Sequence, residues 1–491
     1  MKKIAAAMMA ASPAALLLGL PAAQAQEAEQ SASSRAFAET EDRVITVGTR
    51  RKGRTDVDSV IPIDILAPEL ISTSGYADLN DALRTLLPAF NAQRLPLNDG
   101  ASFVRPITLR SSPADHVLLL MNGKRRHRSA TVQIGTGHAT TSGSQGQDFN
   151  LIPPIAFRSV EVLRDGASAQ YGSDAIAGVV NMTLKEDREG GSISAHIGQF
   201  HAGDGLTGDV QANLGLPLTD AGFFNISAQY TNEAGTDRAG PHAGVEAMKL
   251  MGITGMPEPP INLGDPQYEA IKTAWNAGLD LGGGAEAYLF GNYAYTDALI
   301  GFSYRQSVAA GGFGQHVTFS DSIYEGTAAH PENFDLASIY PGGYTPKFAG
   351  QQDDFSSVVG VRSDTDGRFG WDVSFRYGRN NVDYTISETI NASLGVDSPT
   401  TFKPGGLAQR EIQIDAEASY NLANGIFADD ILIFGGASYR NEAYEITAGE
   451  RASYEVGPLR DLPAGSNGFQ GFSPDTAGNF ETGSYAVYLE A

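Results

Sequence analysis

From residue 190 onward, the sequence alternates apolar and polar residues in a series of short stretches. Residues 411–420 form the clearest stretch: Ile412, Ile414, Ala416, Ala418 and Tyr420 share one face, and Glu411, Gln413, Asp415, Glu417 and Ser419 share the other. Successive side chains of a β-strand point to opposite faces, so a period of two predicts a strand with one apolar face. Such strands suit a sheet that meets lipid outside and water inside.

The connections between the predicted strands alternate in length. We predict ten strands, near residues 192–199, 207–216, 222–232, 271–281, 285–296, 353–363, 371–377, 411–420, 429–446 and 482–491. The connections near 217–221, 282–284, 364–368 and 421–428 are short; those near 233–270, 297–352, 387–407 and 447–481 are long. Outer-membrane barrels have short periplasmic turns and long extracellular loops, so the alternation favours an antiparallel transmembrane β-barrel over a soluble β-sandwich. The first outer connection, near 200–206, is short.

The N-terminus has the composition of a secretory signal peptide. Lys2 and Lys3 precede a run rich in Ala, Leu and Met at residues 4–20, and Ala23-Gln24-Ala25 forms a small-x-small cleavage site. The alternative is a transmembrane anchor, which is disfavoured because a Ser-Pro pair interrupts the run. We therefore expect residues 1–25 to be removed on export.

Composition excludes several classes of protein. After residue 25, no apolar stretch reaches the roughly 20 residues that a membrane-spanning helix needs, which excludes a helical inner-membrane protein. The chain has no cysteine, so disulfides and thiolate metal sites are impossible. A net charge of −23 repels polyanions and argues against nucleic acid as a partner.

Residues 55–189 are predicted to form a compact α+β domain. Residues 77–87 place Leu79, Ala82, Leu83 and Leu86 on one face of a short amphipathic helix, which Pro88 ends. Strands are predicted at Val117–Met121, closed by an Asn-Gly turn, at 159–164 and at Gly178–Leu184.

Four motifs, in order along this region, resemble the plug domain of TonB-dependent receptors, which are active transporters of Gram-negative outer membranes. The motifs lie at residues 83–90, 107–126, 152–172 and 175–181, and their most characteristic residues are Asn122, Gly123, Arg125, Tyr171, Gly172, Gly178 and Asn181. Three departures, Ser111, Asp165-Gly166-Ala167 and Ala177, resemble a subgroup of the family and bear on substrate class more than on family.

The resemblance implies an α+β plug followed by a barrel of about 22 strands, of which about ten are present. It also implies a TonB box, a segment that binds the periplasmic TonB protein by adding a strand to its sheet. The matching residues are Asp42, Arg43, Val44, Ile45, Thr46, Val47, Gly48 and Thr49. They lie in a leader at residues 26–54, which we expect to be too short for an additional periplasmic signalling domain.

Two sets of basic residues in the predicted plug have candidate roles. In the family, plug arginines pair with barrel glutamates, and Arg110 and Arg164 are our candidates for this lock, with Glu411, Asp415 and Glu417 as possible partners. The run Lys124 to Arg128 has two interpretations: attraction of an anionic substrate, or a loop that counters an acidic lumen. We favour the second.

The sequence therefore predicts TonB-dependent uptake of an iron-siderophore, cobalamin or carbohydrate, in the outer membrane of a Gram-negative bacterium. The expected partners are TonB with its inner-membrane proton-motive complex, outer-membrane lipid and the substrate. A passive porin, a barrel enzyme and an adhesin are the alternatives, but none of these needs a plug. We find no catalytic constellation and no metal-ligand spacing, and we expect no cofactor. We also expect the barrel, at residues 190–491, to be incomplete at Ala491, where the strand pattern is still running.

Overall fold

The computed structural model describes residues 46–49, 62–67, 70, 76, 78–92, 94–96, 98–134, 142–307, 323–324, 334–365, 367–423, 430–460 and 462–491. The predicted signal peptide lies outside these residues.

The first part of the described chain is a small α+β domain, here called the N-terminal domain. Its elements are β1 (Ile63–Leu66), α1 (Leu79–Leu86), β2 (Phe90–Asn91), β3 (Thr108–Leu109), β4 (Val117–Met121), β5 (Lys124–Arg125), β6 (Phe157–Leu163), α2 (Ser168–Tyr171) and β7 (Gly178–Leu184). Five strands form a sheet in the order β1-β6-β7-β4-β5, in which β4 and β7 are parallel and the other neighbours are antiparallel.

Local signals in the sequence account for the helix and the hairpin of this domain. Helix α1 begins two residues later than predicted because the side chain of Asp78 caps it, accepting from the amide of Asn80 at 2.7 Å. The apolar face of α1 is buried, as predicted. The turn between β4 and β5 places Asn122 and Gly123 at φ of 48° and 77°, the left-handed conformation that favours this pair.

The second part of the described chain is a ten-stranded antiparallel sheet in sequence order, which confirms the predicted strand number and fold class. Its strands are β8 (Gly191–Gly198), β9 (Thr207–Pro217), β10 (Gly222–Glu233), β11 (Gln267–Gly282), β12 (Ala285–Gly301), β15 (Lys347–Thr365), β16 (Phe369–Ser387), β17 (Thr401–Leu422), β18 (Ile431–Ala448) and β19 (Gly478–Glu490). Between β10 and β11 lies α3 (Ala243–Leu250), and between β12 and β15 a two-stranded ribbon of β13 (Ile323–Tyr324) and β14 (Phe334–Asp335).

The two faces of the ten-stranded sheet differ in polarity, as the alternation predicts. Along β17, Glu411 and Gln413 are buried against the N-terminal domain, whereas Ile414 and Tyr420 are about 45 % exposed on the other face. Apolar side chains continue across the outer face, including Val359, Phe375 and Val373 on neighbouring strands. The inner face buries polar side chains around the N-terminal domain, and this is the surface that organises the candidate site.

Strand ends at the long connections extend beyond their predicted limits. β15, for example, begins at Lys347, whereas the prediction placed its start near 353. Cross-strand pairing continues there although the apolar face ends, because backbone hydrogen bonds do not need a lipid-facing side chain. No helix among the described residues is long and apolar enough to cross a membrane.

Candidate functional site

The basic run Lys124 to Arg128 leaves β5 and enters the inner face of the large sheet. The first residue of the run already reaches the sheet: the Nζ of Lys124 lies 2.9 Å from Asp372 and 3.4 Å from Glu417, on β16 and β17. Arg125 remains within the N-terminal domain, where it pairs with Asp174 and donates to the carbonyl of Tyr171. The following three side chains point into the sheet.

Asp354 on β15 is the centre of the most deeply buried ion cluster. Its carboxylate accepts from Arg126 at 2.6 Å and lies 2.8 Å from the Nε2 of His127. The side-chain amides of Asn292 and Asn380 each donate to it at 3.0 Å. The side chains of Arg126, His127 and Asp354 are all about 1 % exposed, so this charge contact is shielded from water.

Arg128 continues the same interface along β17 and β18. Its backbone amide donates to Glu411 at 3.0 Å, and its guanidinium pairs with Glu442. Arg376, on the neighbouring strand β16, also forms an ion pair with Glu411 at 2.9 Å. The run thus contacts strands β12 and β15 to β18 as a buried network, which supports the interpretation of a loop that counters an acidic lumen.

A second charge cluster joins the start of α1 to the ends of β10 and β11. Arg105 binds Asp78 at 2.7 Å and Asp81 at 2.6 Å. Arg94 reaches the same two carboxylates and also lies 3.6 Å from both Glu233, at the end of β10, and Asp265, near the end of the connection at 234–266. Burial alone would raise the pKa of Asp78, but the guanidinium groups of Arg105 and Arg94 lower it to about 2. The N-terminal domain is therefore fixed to the sheet at two separate places.

The two predicted lock arginines lie elsewhere. Arg164 pairs with Asp64 at 2.7 Å, inside the N-terminal domain, because β1 pairs with β6 and brings these residues together. Arg110 is exposed, in a turn with φ of 53°, and no described carboxylate lies within salt-bridge distance of it. Contact of these two arginines with barrel carboxylates stays a prediction, and the described contacts with Glu411 and Glu417 come from the basic run instead.

The TonB-box-like segment is described from Thr46 to Thr49, whereas Asp42 to Ile45 lie outside the described residues. The amides of Thr46 and Val47 both donate to the carboxylate of Glu161 at 3.0 Å, and the hydroxyl of Thr46 adds a bond of 2.8 Å. Burial raises the pKa of Glu161, against the effect of these hydrogen bonds. Val47 is buried in a small apolar cluster of the N-terminal domain. The backbone amides of Thr46 and Val47 thus bind the segment to one buried carboxylate, that of Glu161.

The motif residues of the domain connect this segment to the basic run. Asn181 donates to Thr46 at 2.8 Å and accepts from the amide of Gly123 at 3.0 Å, at the turn before the run. The hydroxyl of Tyr171 accepts from the amide of Gly48 at 3.1 Å.

Two glycines of these motifs have backbone roles. Gly172 follows α2 with φ of 86°. At Gly178, where φ is 154°, a Cβ would lie 2.3 Å from the carbonyl oxygen of Leu163, so only glycine fits beside β6.

Sequence reasoning missed the acceptors Asp354 and Glu442 and the clamp residue Glu161. The first two lie at inward-facing positions of their strands, so strand alternation is the signal that could have found them. Glu161 lies between Val160 and Val162 in the buried half of β6 and is 2 % exposed, and an acid between two apolar residues of a strand is the corresponding signal. No group of three or more potential metal ligands occurs within the described part of the chain.

Comparison with known proteins agrees with this architecture. The family described as "TonB-dependent Receptor Plug Domain" matches residues 55–179. The ferric enterobactin receptor PirA of Pseudomonas aeruginosa is 32 % identical over 179 residues, which cover 35 % of this chain and 24 % of that protein. The iron-regulated outer membrane virulence protein of Vibrio cholerae is 28 % identical over 173 residues, covering 34 % and 24 %.

Solved structures extend the likeness over the large sheet. A ferric enterobactin receptor variant from Pseudomonas aeruginosa superposes with a TM-score of 0.55 at 14 % identity, covering 88 % of this chain and 55 % of that one. The siderophore receptor PirA from Acinetobacter baumannii gives 0.52 at 15 % identity, covering 87 % and 53 %. At these identities the likeness concerns the fold, and the chain spans about half the length of these structures.

Proposed function

We propose, from the premise that this chain belongs to the TonB-dependent receptor family of Gram-negative outer membranes, that it takes part in energised import of a scarce substrate. TonB, driven by the inner-membrane proton-motive complex, supplies the work. Among the substrates that the sequence left open, we favour an iron-siderophore over cobalamin or a carbohydrate. The support is that the related proteins are named as ferric enterobactin and siderophore receptors.

The buried network around Asp354 is the single observation that carries the proposal. Ion pairs such as Arg126–Asp354, about 1 % exposed, hold the plug on the inner face of the sheet. Breaking a buried pair by removing one partner costs about 3–5 kcal/mol, because the other charge stays buried without compensation. A channel that opens passively gains nothing from such a lock, whereas a transporter with an external energy source can release it.

The docked state of Thr46 to Thr49 is consistent with a mechanical role. The segment contacts Glu161 and Asn181, and Asn181 in turn holds the turn that begins the basic run. Force applied to the segment would reach that turn through two hydrogen bonds. This arrangement gives a direct route by which a periplasmic partner could loosen the lock, with β-strand addition as the mode of binding.

The alternatives lack a supporting contact. A porin requires an open lumen, but the plug buries the inner-face residues Glu411 and Asn292. An enzyme requires a group of catalytic side chains that lie close together, and we assign none.

Deletion of residues 42–49 tests the proposed function. Uptake of a labelled ferric siderophore by cells should be abolished, while receptor assembly and siderophore binding to isolated membranes stay intact. Deletion of residues 27–34, eight residues of the leader, is the matched control and should leave uptake unchanged. Unchanged uptake in the 42–49 deletion would remove the TonB assignment.

A further inference from the structure

Eight aromatic side chains meet where the plug faces the long connections, and two of them come from a loop. Phe103 comes from the plug, and the others come from strand ends at the long connections or from the residue next to such an end: Tyr268, Phe302, Phe348, Tyr384 and Phe402. All six are buried. The remaining two, Phe469 and Phe472, are partly buried and belong to the connection between β18 and β19. Here, residues 465–471 are called the strap.

Phe469 is inserted into a niche formed by the strand residues. Its ring is stacked on Phe348 with centroids 4.6 Å apart, and its centroid lies 5.3 Å from that of Tyr384. Phe103 lies behind, 5.4 Å from Phe348. The hydroxyl of Tyr384 is 3.4 Å from that of Thr131, so the niche has polar groups at its edge. A niche with this shape accepts one flat aromatic ring.

The strap combines glycines on both sides of Phe469 with hydrogen bonds to the neighbouring connections. Phe469 is flanked by Gly465, Gly468 and Gly471, and the first two have φ of 78° and 102°. Hydrogen bonds hold the strap at Ser466 and Asn467: the amide of Ser466 donates to Ser453 at 2.9 Å, and Asn467 accepts from Arg305 at 2.9 Å and from Thr389 at 2.6 Å. The amide of Asn467 donates to Ile390 at 2.9 Å. Gly471 donates to Ser453 at 2.9 Å. These partners lie on three long connections, so moving the strap would loosen the contacts between them.

We infer that Phe469 occupies a subsite for a planar aromatic group of the transported substrate, and that the substrate displaces it. The walls of the niche belong to the plug and the strands, whereas its occupant is on the strap, so the walls would remain when the occupant leaves. A ligand ring that replaces Phe469 recovers the stacking on Phe348 and can bond to the hydroxyls of Tyr384 and Thr131. The inference rests on the proposed function, because it places the subsite on the outer side of the plug.

Binding of two ferric complexes to the purified receptor tests the inference. Ferric enterobactin carries aromatic rings, and a ferric trihydroxamate without aromatic rings is the comparison. Phe469→Ala removes the occupant, so ferric enterobactin should bind about ten-fold tighter if the open strap is populated at about 10 % in the native protein. Affinity for the trihydroxamate should not change relative to the native receptor. Phe200→Ala, at an exposed phenylalanine of another outer connection, is the matched control and should change neither affinity.

Asn467→Ala keeps Phe469 but removes a tether, and it should change the enterobactin affinity in the same direction. Phe469→Trp adds a fluorescent reporter, whose emission should shift to the red when ferric enterobactin expels it into water. Equal or weaker binding of ferric enterobactin by both the Phe469→Ala and the Asn467→Ala receptors, or no binding at all, would overturn the subsite. Because these measurements need no TonB, they fail independently of the uptake test with the 42–49 deletion.

Discussion

The buried pair of Arg126 and Asp354 gives a quantitative test of how the plug is held. Arg126→Met replaces the guanidinium with an apolar side chain of similar length, and Asp354→Asn replaces the carboxylate with an amide of the same shape. Each single change leaves one charge in a site where both side chains are about 1 % exposed. We expect each to destabilise the docked state by about 3–5 kcal/mol, the range for a buried ion pair that loses one partner.

The double variant should be much less destabilised than the sum of the two single variants. It removes both charges together, and such replacements are often close to neutral. The expected coupling energy is therefore at least about 3 kcal/mol, well above the few tenths found for independent sites. An amide at position 354 has one acceptor oxygen in place of two, so one of the two asparagine amides loses its acceptor and the double variant keeps a residual cost of about 1–3 kcal/mol.

Amide hydrogen exchange of residues 124–131 in the purified receptor measures this difference. A loss of 3 kcal/mol corresponds to exchange that is faster by more than about 100-fold in the single variants. Arg158→Ala is the control: its partner Glu186 lies 3.0 Å away, but the two side chains are 58 % and 42 % exposed, so the effect should stay below about 1 kcal/mol. Single variants that exchange like this control, or a double variant as fast as the summed single effects, would refute the lock.

Two further predictions concern acids of the plug. Glu161→Gln should raise protease cleavage and hydrogen exchange at residues 46–49, because a neutral amide oxygen accepts from the two backbone N–H groups more weakly than a carboxylate, at a cost of about 1–3 kcal/mol; Glu186→Gln, at an exposed site, should not. Asp78 has a pKa lowered to about 2 from 3.8, so its contribution of about 2 kcal/mol is present above pH 4 and is lost as pH falls through 2. Plug unfolding followed between pH 5 and 2 should show this loss, and Asp78→Asn should flatten it; an unchanged pH profile in that variant would contradict the assignment.

Periodicity predicted the large sheet because the evidence for it is local. Each strand shows its two faces within a few residues, as β17 does with Glu411 and Ile412, and the alternation of connection lengths then orders the strands. The turn at Asn122-Gly123 was predictable for the same reason. Such features need no knowledge of distant parts of the chain.

The pairing of Arg126 with Asp354 was not predictable because the two residues are far apart in sequence. Arg126 and Asp354 are separated by 228 residues, and alternation says only that Asp354 faces inward. It does not say which of several inward acids meets which plug cation. Arg164 has a short-range partner, since the pairing of β1 with β6 brings Asp64 beside it, and its contact with a barrel carboxylate stays a prediction. The motifs locate the plug arginines at strand ends. The contacts of these arginines depend on how the plug is placed against the sheet, which the motifs do not specify.

Fixing the plug at two distant places has a consequence for how it can be released. If the Arg126–Asp354 contact and the Arg94 cluster each cost about 3–5 kcal/mol to break, releasing both at once costs roughly 6–10 kcal/mol. At about 1.4 kcal/mol per factor of ten, the fully released plug would be populated at about one part in ten thousand or less. The Thr46 segment is linked by hydrogen bonds to the turn before Lys124, whereas Arg94 is linked to the connection at 234–266. If TonB pulls on this segment as proposed, the pull acts first on the basic run, and the Arg94 cluster can keep the rest of the plug in place while the run is displaced. Partial release of this kind needs the work of breaking one cluster and leaves the other as the anchor from which the plug docks again.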